Sequence, residues 1–279
     1  MWKETETRIM KNLGTILILI FLCLVAFYLL VLKPDKYEKV NMYDEIINRK
    51  VLNVGINIDA KPFGFINEKG QISGYDADLA RNIAQYILKD SNAVHFVPVT
   101  PNNRLIKLST GEIDVIIATM TITPQREEII NFSIPYDSAG LGILVKTTSP
   151  ISSINDLSDQ NIGVVWGTTA EKNTLSLVPS GHAIGFKTYR EAYDALKRGD
   201  IVALTSDDTI LSGYTLDDNN VRLLPKRYTK EPYGIGFRKG KGSAKLKEVL
   251  DGAITDMKQR YVLYRLHKKW FGNKYVWED

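Results

Sequence analysis

Asp114-Val115-Ile116-Ile117-Ala118-Thr119-Met120-Thr121-Ile122-Thr123-Pro124-Gln125-Arg126-Glu127-Glu128 carries an apolar strand directly into the first turn of a helix. The strand is read over Asp114–Ala118. Thr123 followed by Pro124 is an N-cap with proline at the first helical position, where its missing N–H costs nothing. Arg126 then falls in the first turn, where its planar fork, the neighbouring threonine hydroxyls and the free backbone amides can hold a carboxylate. Taken alone, the stretch also reads as a capped surface helix with a solvated arginine, and the rest of the chain decides between the two.

On either side, strands and helices alternate. Met42–Arg49 reads as a short helix, 51–58 as a strand, 77–88 as a helix with Ala80, Ile83, Ala84, Ile87 and Leu88 at the helical period, and 94–99 as a strand. Thr100-Pro101 repeats the cap-plus-proline signal and predicts a helix through Leu108, closed by Gly111. Extended segments fill 132–146, and the alternation restarts: strand 162–166, helix 168–177, strand 183–186, helix 189–198, strand 202–205. A further extended segment at 234–237 and one helical stretch over 246–270 complete it. Two βαβ sets joined by extended strands predict two α/β lobes, 48–146 with 233–279 and 147–232, linked by two hinge crossings.

With 279 residues, 44% hydrophobic and 24% charged, the chain has room for such a pair of lobes, and a net charge of +4 from scattered basic residues gives nucleic acid no footprint. Leu13–Leu32 is an uncharged apolar stretch of about twenty residues, long enough to span a bilayer as a helix. Residues 1–12 form a tail before it and 33–47 a linker after it. A cleaved signal needs a shorter apolar core and small residues at the cut, and a lipoprotein signal needs small residues before its cysteine, whereas Cys23 follows Phe21-Leu22 in mid-span. An uncleaved N-terminal transmembrane anchor is therefore favoured. As the only cysteine, Cys23 excludes an internal disulfide and a CxxC metal site.

From Val51 to Gly272 the chain resembles the bacterial extracellular solute-binding proteins of family 3, the polar amino-acid receptors of ABC importers, and more distantly the ligand-binding core of ionotropic glutamate receptors. The matching pieces stand in family order: Pro62-Phe63-Gly64-Phe65, Gly74-Tyr75-Asp76-Ala77-Asp78-Leu79, Thr100-Pro101-Asn102-Asn103-Arg104, Thr119 to Arg126, Asn131-Phe132-Ser133-Ile134-Pro135-Tyr136, Gly167-Thr168-Thr169-Ala170-Glu171, Ser206-Asp207-Asp208, Glu231-Pro232-Tyr233-Gly234-Ile235-Gly236 and Lys268-Lys269-Trp270-Phe271-Gly272. The resemblance implies a type II periplasmic-binding-protein fold, an extracytoplasmic location in which residues 13–32 anchor the chain unless they are cleaved, a monomer, and a permease as partner. Ala60 departs from the family where many members place an aromatic residue against the ligand, and Asn102 where glutamine and basic amino-acid receptors often place an apolar or aromatic one. The hydrophobic sandwich for long neutral or cationic side chains is therefore not expected, which weakens arginine, lysine and histidine as ligands.

The resemblance also implies a site. Arg126 matches the carboxylate-binding arginine, with the amides of Thr121, Thr168 and Thr169 completing that subsite. Thr168 and Glu171 have capping-box spacing, so the Thr168-Thr169 pair opens a helix whose amides and dipole favour anions. Asp207 matches the acidic residue that takes the ammonium, with the Thr119 carbonyl and Thr121 hydroxyl beside it, and Asp208 is expected to be a cap or solvated. Arg104 matches the arginine that acidic amino-acid receptors use for a side-chain carboxylate, and Asn57 and Asn102 could add polar contacts. A buried second cation calls for an anionic partner, so glutamate or aspartate is expected first and glutamine next. An enzyme is not expected, nor is a cofactor or metal, because His95, His182 and His267 stand apart from any nucleophile or metal-ligand spacing. A tethered amino-acid sensor with a separate signalling partner is the alternative in another class, and a dehydratase-type enzyme of the same fold ranks below it.

Overall fold

The computed structural model describes residues 41–272. The first lobe begins with α1 (Met42–Arg49), β1 (Leu52–Ile56), a small antiparallel sheet of β2 (Asp59–Ala60), β3 (Gly64–Ile66) and β4 (Ile72–Ser73), and then α2 (Tyr75–Leu88). It continues through β5 (Val94–Pro98), α3 (Arg104–Ser109), β6 (Val115–Ile116), α4 (Pro124–Glu127) and β7 (Ile130–Phe132). After β8 (Asp137–Ala139) the second lobe runs β9 (Leu141–Lys146), β10 (Asn161–Val165), α5 (Thr169–Leu177), β11 (His182–Phe186), α6 (Tyr189–Arg198), β12 (Ala203–Asp207), α7 (Asp208–Asp217) and β13 (Val221–Leu223). The chain returns through β14 (Glu231–Tyr233) to β15 (Gly236–Arg238), α8 (Ser243–Gln259) and α9 (Val262–Phe271).

Each lobe has a five-stranded mixed sheet, ordered β5-β1-β6-β15-β7 in the first and β11-β10-β12-β9-β13 in the second. In both, the βαβ strands pair in parallel, as crossover helices require, and the strand that arrives from the other lobe or leaves for it pairs antiparallel. The two crossings pair with each other as β8 and β14, register Glu231 opposite Ala139 and Tyr233 opposite Asp137. The helices turn apolar stripes to the sheets: Leu79, Ala80, Ile83 and Ala84 of α2 are fully buried. Between hinge and terminus lies an aromatic cluster, with Phe63 packed edge-on against Tyr75, Tyr233 and Phe271 at 5.7, 5.6 and 5.1 Å.

Several boundaries differ from the sequence reading. Residues 141–146, expected in the first lobe, form β9 inside the second sheet, paired with β12 and β13; an extended run has no local mark of which sheet it will join. Residues 42–47 form the start of the helix expected over Met42–Arg49, α1, but its Met42 and Ile46 are buried in the first-lobe core, so these residues are part of that lobe and not of the expected linker. The helix predicted from Pro101 begins at Arg104, because Asn103 Oδ1 accepts from the Thr100 amide and holds residues 101–103 as a turn. The expected helical stretch 246–270 is two helices, broken where Tyr261 takes φ 56° and its amide donates back to Lys258 O. The expected tail, the membrane span Leu13–Leu32 and the linker as far as residue 40 lie outside the described residues. Among the described residues no helix is long and apolar enough to cross a membrane.

Candidate ligand-binding cleft

Arg126 enters the cleft because Thr123 (φ −137°, ψ 150°) caps α4, its Oγ1 accepting from the Arg126 amide at 3.2 Å. The guanidinium donates to Thr121 O at 2.8 Å within its own lobe and to Gly167 O at 3.2 Å in the other. Gly167 makes this approach possible: it has φ +78°, and an added Cβ would stand 3.0 Å from Pro101 O of the first lobe. Thr168 caps α5 as expected, Oγ1 accepting from Glu171 N at 3.3 Å, but Glu171 Oε2 accepts from Gly167 N rather than from the Thr168 amide. The Thr168 amide is itself directed at Val165 O at 3.4 Å. Of the Thr168 and Thr169 amides, the one left for an anion is therefore that of Thr169, the first helical residue, which has no acceptor within its helix.

The loop behind Arg126 is held by a buried acid. Asp76 accepts the Thr119 amide at 3.1 Å, fixing that residue at φ 46°, and accepts Tyr136 Oη–H at 3.1 Å. Burial raises the Asp76 carboxyl to about 7. Asp207 closes β12 and is 4% exposed; its Oδ2 accepts the Tyr233 hydroxyl. Burial first, then Glu231 nearby, raise Asp207 to about 7, against the Tyr233 bond and Arg126. Asp208, expected to be a cap or solvated, is buried: its Oδ1 accepts from the first-turn Thr209 amide of α7 at 2.9 Å and from the Gly140 amide at 3.0 Å, and its carboxylate pairs with Arg227 at 2.8 Å, so it also braces the crossing.

Arg104 is 2% exposed, and its Nη1 donates to Ala118 O at 2.9 Å. Asn57 follows β1, fully buried, its Nδ2 directed at the same Ala118 O (3.4 Å) and at Thr119 Oγ1 (3.3 Å). Arg104 Nε and Asn57 Oδ1 are buried without a protein partner. Burial, then Arg126 beside it, lower Arg104 to about 10, so it is cationic at neutral pH. Asn102, weighed as a further polar contact, is exposed, though its Oδ1 faces Gly167 across the cleft.

Two buried residues received no role from the sequence. Tyr189, at the start of α6, lies in the field of Asp207 and Arg104, and burial followed by Asp207 raises its hydroxyl. Glu231 on β14 accepts from Thr121 of the first lobe and from Thr169 and Asn173 of the second. Its only sequence signal is an acid in an extended segment ahead of Gly234-Ile235-Gly236.

Arg126, Thr168, Thr169 and Asn173 line a recess of about 350 Å³ at the cleft mouth. A larger groove, about 1090 Å³, runs between the lobes past Asp59, Lys61, Tyr193 and Asp217. It contains neither Arg104 nor Arg126, and the unpaired buried groups of Asn57 and Arg104 belong to the closed interior, so the candidate site is the latter. The two lobes meet beside the larger groove, where Lys61 Nζ pairs with Asp217 at 2.6 Å and Asp59 Oδ2 accepts the Tyr189 amide at 2.8 Å.

Residues 52–273 match the sequence profile of bacterial extracellular solute-binding proteins, family 3. The chain belongs to this family. It is 40% identical over 201 residues to the glutamine-binding protein of Geobacillus stearothermophilus, covering 71% of this chain and 77% of that relative. It is 38% identical over 240 residues to an ABC transporter glutamine-binding protein of Bacillus subtilis, covering 85% of each. The fold is similar to that of the cysteine-binding protein from Campylobacter jejuni, with a TM-score of 0.80, 30% identity, and coverage of 85% of this chain and 97% of that one. Other relatives are named as arginine-, cystine- and glutamate-binding proteins, so these relatives differ among themselves in the amino acid they are named for.

Proposed function

We propose that this family 3 protein is an extracytoplasmic, membrane-tethered, monomeric receptor that closes on one polar amino acid and delivers it to an ABC importer, and that glutamine is the ligand its cleft suits best. The α-carboxylate lies against Arg126 and the amides of Thr121 and Thr169. The ammonium lies against Asp207, with the Thr119 carbonyl and Thr121 hydroxyl as neutral acceptors. Asn57 and Arg104 take the side chain. Because Arg126 and Asp207 come from different lobes, one zwitterion engages both only when the lobes close, so binding selects the closed state.

The carrying observation is the unpaired pair at the side-chain end, Asn57 Oδ1 and Arg104 Nε–H. Ala118 O can only accept, so it holds the Asn57 NH₂ toward itself and leaves Oδ1 facing a missing donor. A carboxamide offers N–H to Oδ1 and C=O to Nε–H; a carboxylate would set oxygen lone pairs against Oδ1. Charge agrees once Asp207 is ionised, since Arg104 and Arg126 are then balanced by Asp207 and Glu231, and a neutral side chain preserves that balance. This reverses the order expected from sequence, in which an acidic ligand came before glutamine. Glutamate is kept as the second reading by Arg104, which among the described residues has no carboxylate within ion-pair distance.

Calorimetric titration of the full chain with L-glutamine, L-glutamate and L-aspartate tests this. Glutamine is expected to bind with micromolar or better affinity, about 8 kcal/mol, and about tenfold tighter than glutamate. Tighter binding of glutamate would overturn the carboxamide assignment, and binding of none of the three would overturn the amino-acid reading.

A further inference from the structure

Glu231 lies on hinge strand β14, 2% exposed, and each of its carboxylate oxygens takes two donors. Oε1 accepts from Asn173 Nδ2 at 2.9 Å and from Thr229 Oγ1 at 2.8 Å. Oε2 accepts from Thr121 Oγ1 at 3.1 Å and from Thr169 Oγ1. Thr121 and Thr169 belong to different lobes, and their hydroxyl oxygens are 3.4 Å apart.

A hydroxyl has one proton. The nearer, charged oxygen of Glu231 draws the Thr121 proton ahead of Thr169 Oγ1, and the Thr169 proton is drawn to the same carboxylate. With both protons directed at the hinge, only lone pairs remain to face the cleft. Resting on the amino-acid reading above, we infer that Glu231 is a positioning residue for specificity: it commits the Thr121 and Thr169 hydroxyls as acceptors, so the cleft selects a ligand's 2-ammonium over the 2-hydroxyl of an otherwise identical acid. An ammonium brings a charge and three donors to those acceptors, whereas a hydroxyl brings a single neutral donor.

The isosteric change Glu231→Gln separates this from a purely structural role. With the Asn173 carboxamide kept as it stands, its Nδ2 toward this position, the new NH₂ is excluded there and turns toward the two threonine hydroxyls. They then accept from it and swing their own protons into the cleft, reversing its polarity. Full-chain wild type, Glu231→Gln and Thr121→Val are titrated at pH 8, above the Asp207 midpoint, with L-glutamine, L-glutamate and their 2-hydroxy analogues. Glu231→Gln is expected to lose about tenfold or more in affinity for the amino acid and less than about threefold for its 2-hydroxy analogue. Thr121→Val should narrow the discrimination in the same direction by removing the acceptor itself, which keeps the test decisive if the glutamine variant does not fold. Equal losses on both ligands in Glu231→Gln, or undiminished discrimination in Thr121→Val, overturn the inference. Wild type that binds neither amino acid overturns the reading of the cleft on which it rests.

Discussion

Gly213 provides a perturbation in which folding and binding should move in opposite directions. It lies inside α7, away from either end, and is not among the residues with positive φ, so alanine is conformationally acceptable there. In an isolated helix Gly→Ala stabilises by about 1 kcal/mol. Across the cleft, however, the added Cβ would stand 2.1 Å from Lys61 O and 2.8 Å from Lys61 C. An ordinary C···O contact is about 3.3 Å, so the lobes must part by roughly 1.2 Å along this edge. The neighbouring cross-lobe bond from the Tyr189 amide to Asp59 Oδ2, now 2.8 Å, would open to about 4 Å and be lost. Ligand contacts supplied by the second lobe lengthen with it. Charge-assisted hydrogen bonds contribute about 1.5–3 kcal/mol each, so losing one or two of them costs roughly 3 kcal/mol, about a hundredfold in Kd. Calorimetric titration together with thermal unfolding of the unliganded Gly213→Ala chain reads both quantities. Unchanged affinity, or an unfolding temperature that falls along with affinity, would refute the reasoning, the second because it would place the role of Gly213 in the fold rather than in closure.

Asp207 sets a pH dependence. Its carboxyl, raised to about 7 chiefly by burial, must be ionised to pair with an ammonium, so affinity should fall about tenfold for each unit below pH 7. Asp207→Asn should weaken binding and flatten that profile, and a wild-type affinity constant from pH 5 to 8 would exclude the assignment. The two arginines should divide the ligand between them. Arg126→Ala is expected to abolish binding of every amino acid, whereas Arg104→Ala should cost glutamine and glutamate about tenfold or more while sparing a ligand with no polar side chain, such as alanine. Equal losses on all ligands in both variants, measured by calorimetry, would show that Arg104 does not address the side chain.

The parts legible in the sequence are those with local causes. The cap Thr123, the proline after it and the cap Thr168 stand where their residue types require, because a cap depends on an amide two or three residues away. The alternation of strand and helix was legible for the same reason, as was the placement of Arg126 in the first turn after a buried strand. Locality also explains the misses. Tyr261 turns the chain without a glycine or proline to announce it, and β9 joins the second sheet through partners on β12 and β13 that lie far along the chain.

By itself, then, the sequence determined two α/β lobes and a capped helix that carries Arg126 in its first turn directly after a buried strand. Tertiary structure alone decided that Asn57 and Arg104 share Ala118 O and face inward unpaired, and that Glu231 collects hydroxyls from both lobes. The reason is physical: helical period and capping are set by neighbours within a turn, whereas which donor is left without an acceptor depends on groups that meet only after the chain has crossed the hinge twice and the lobes have closed.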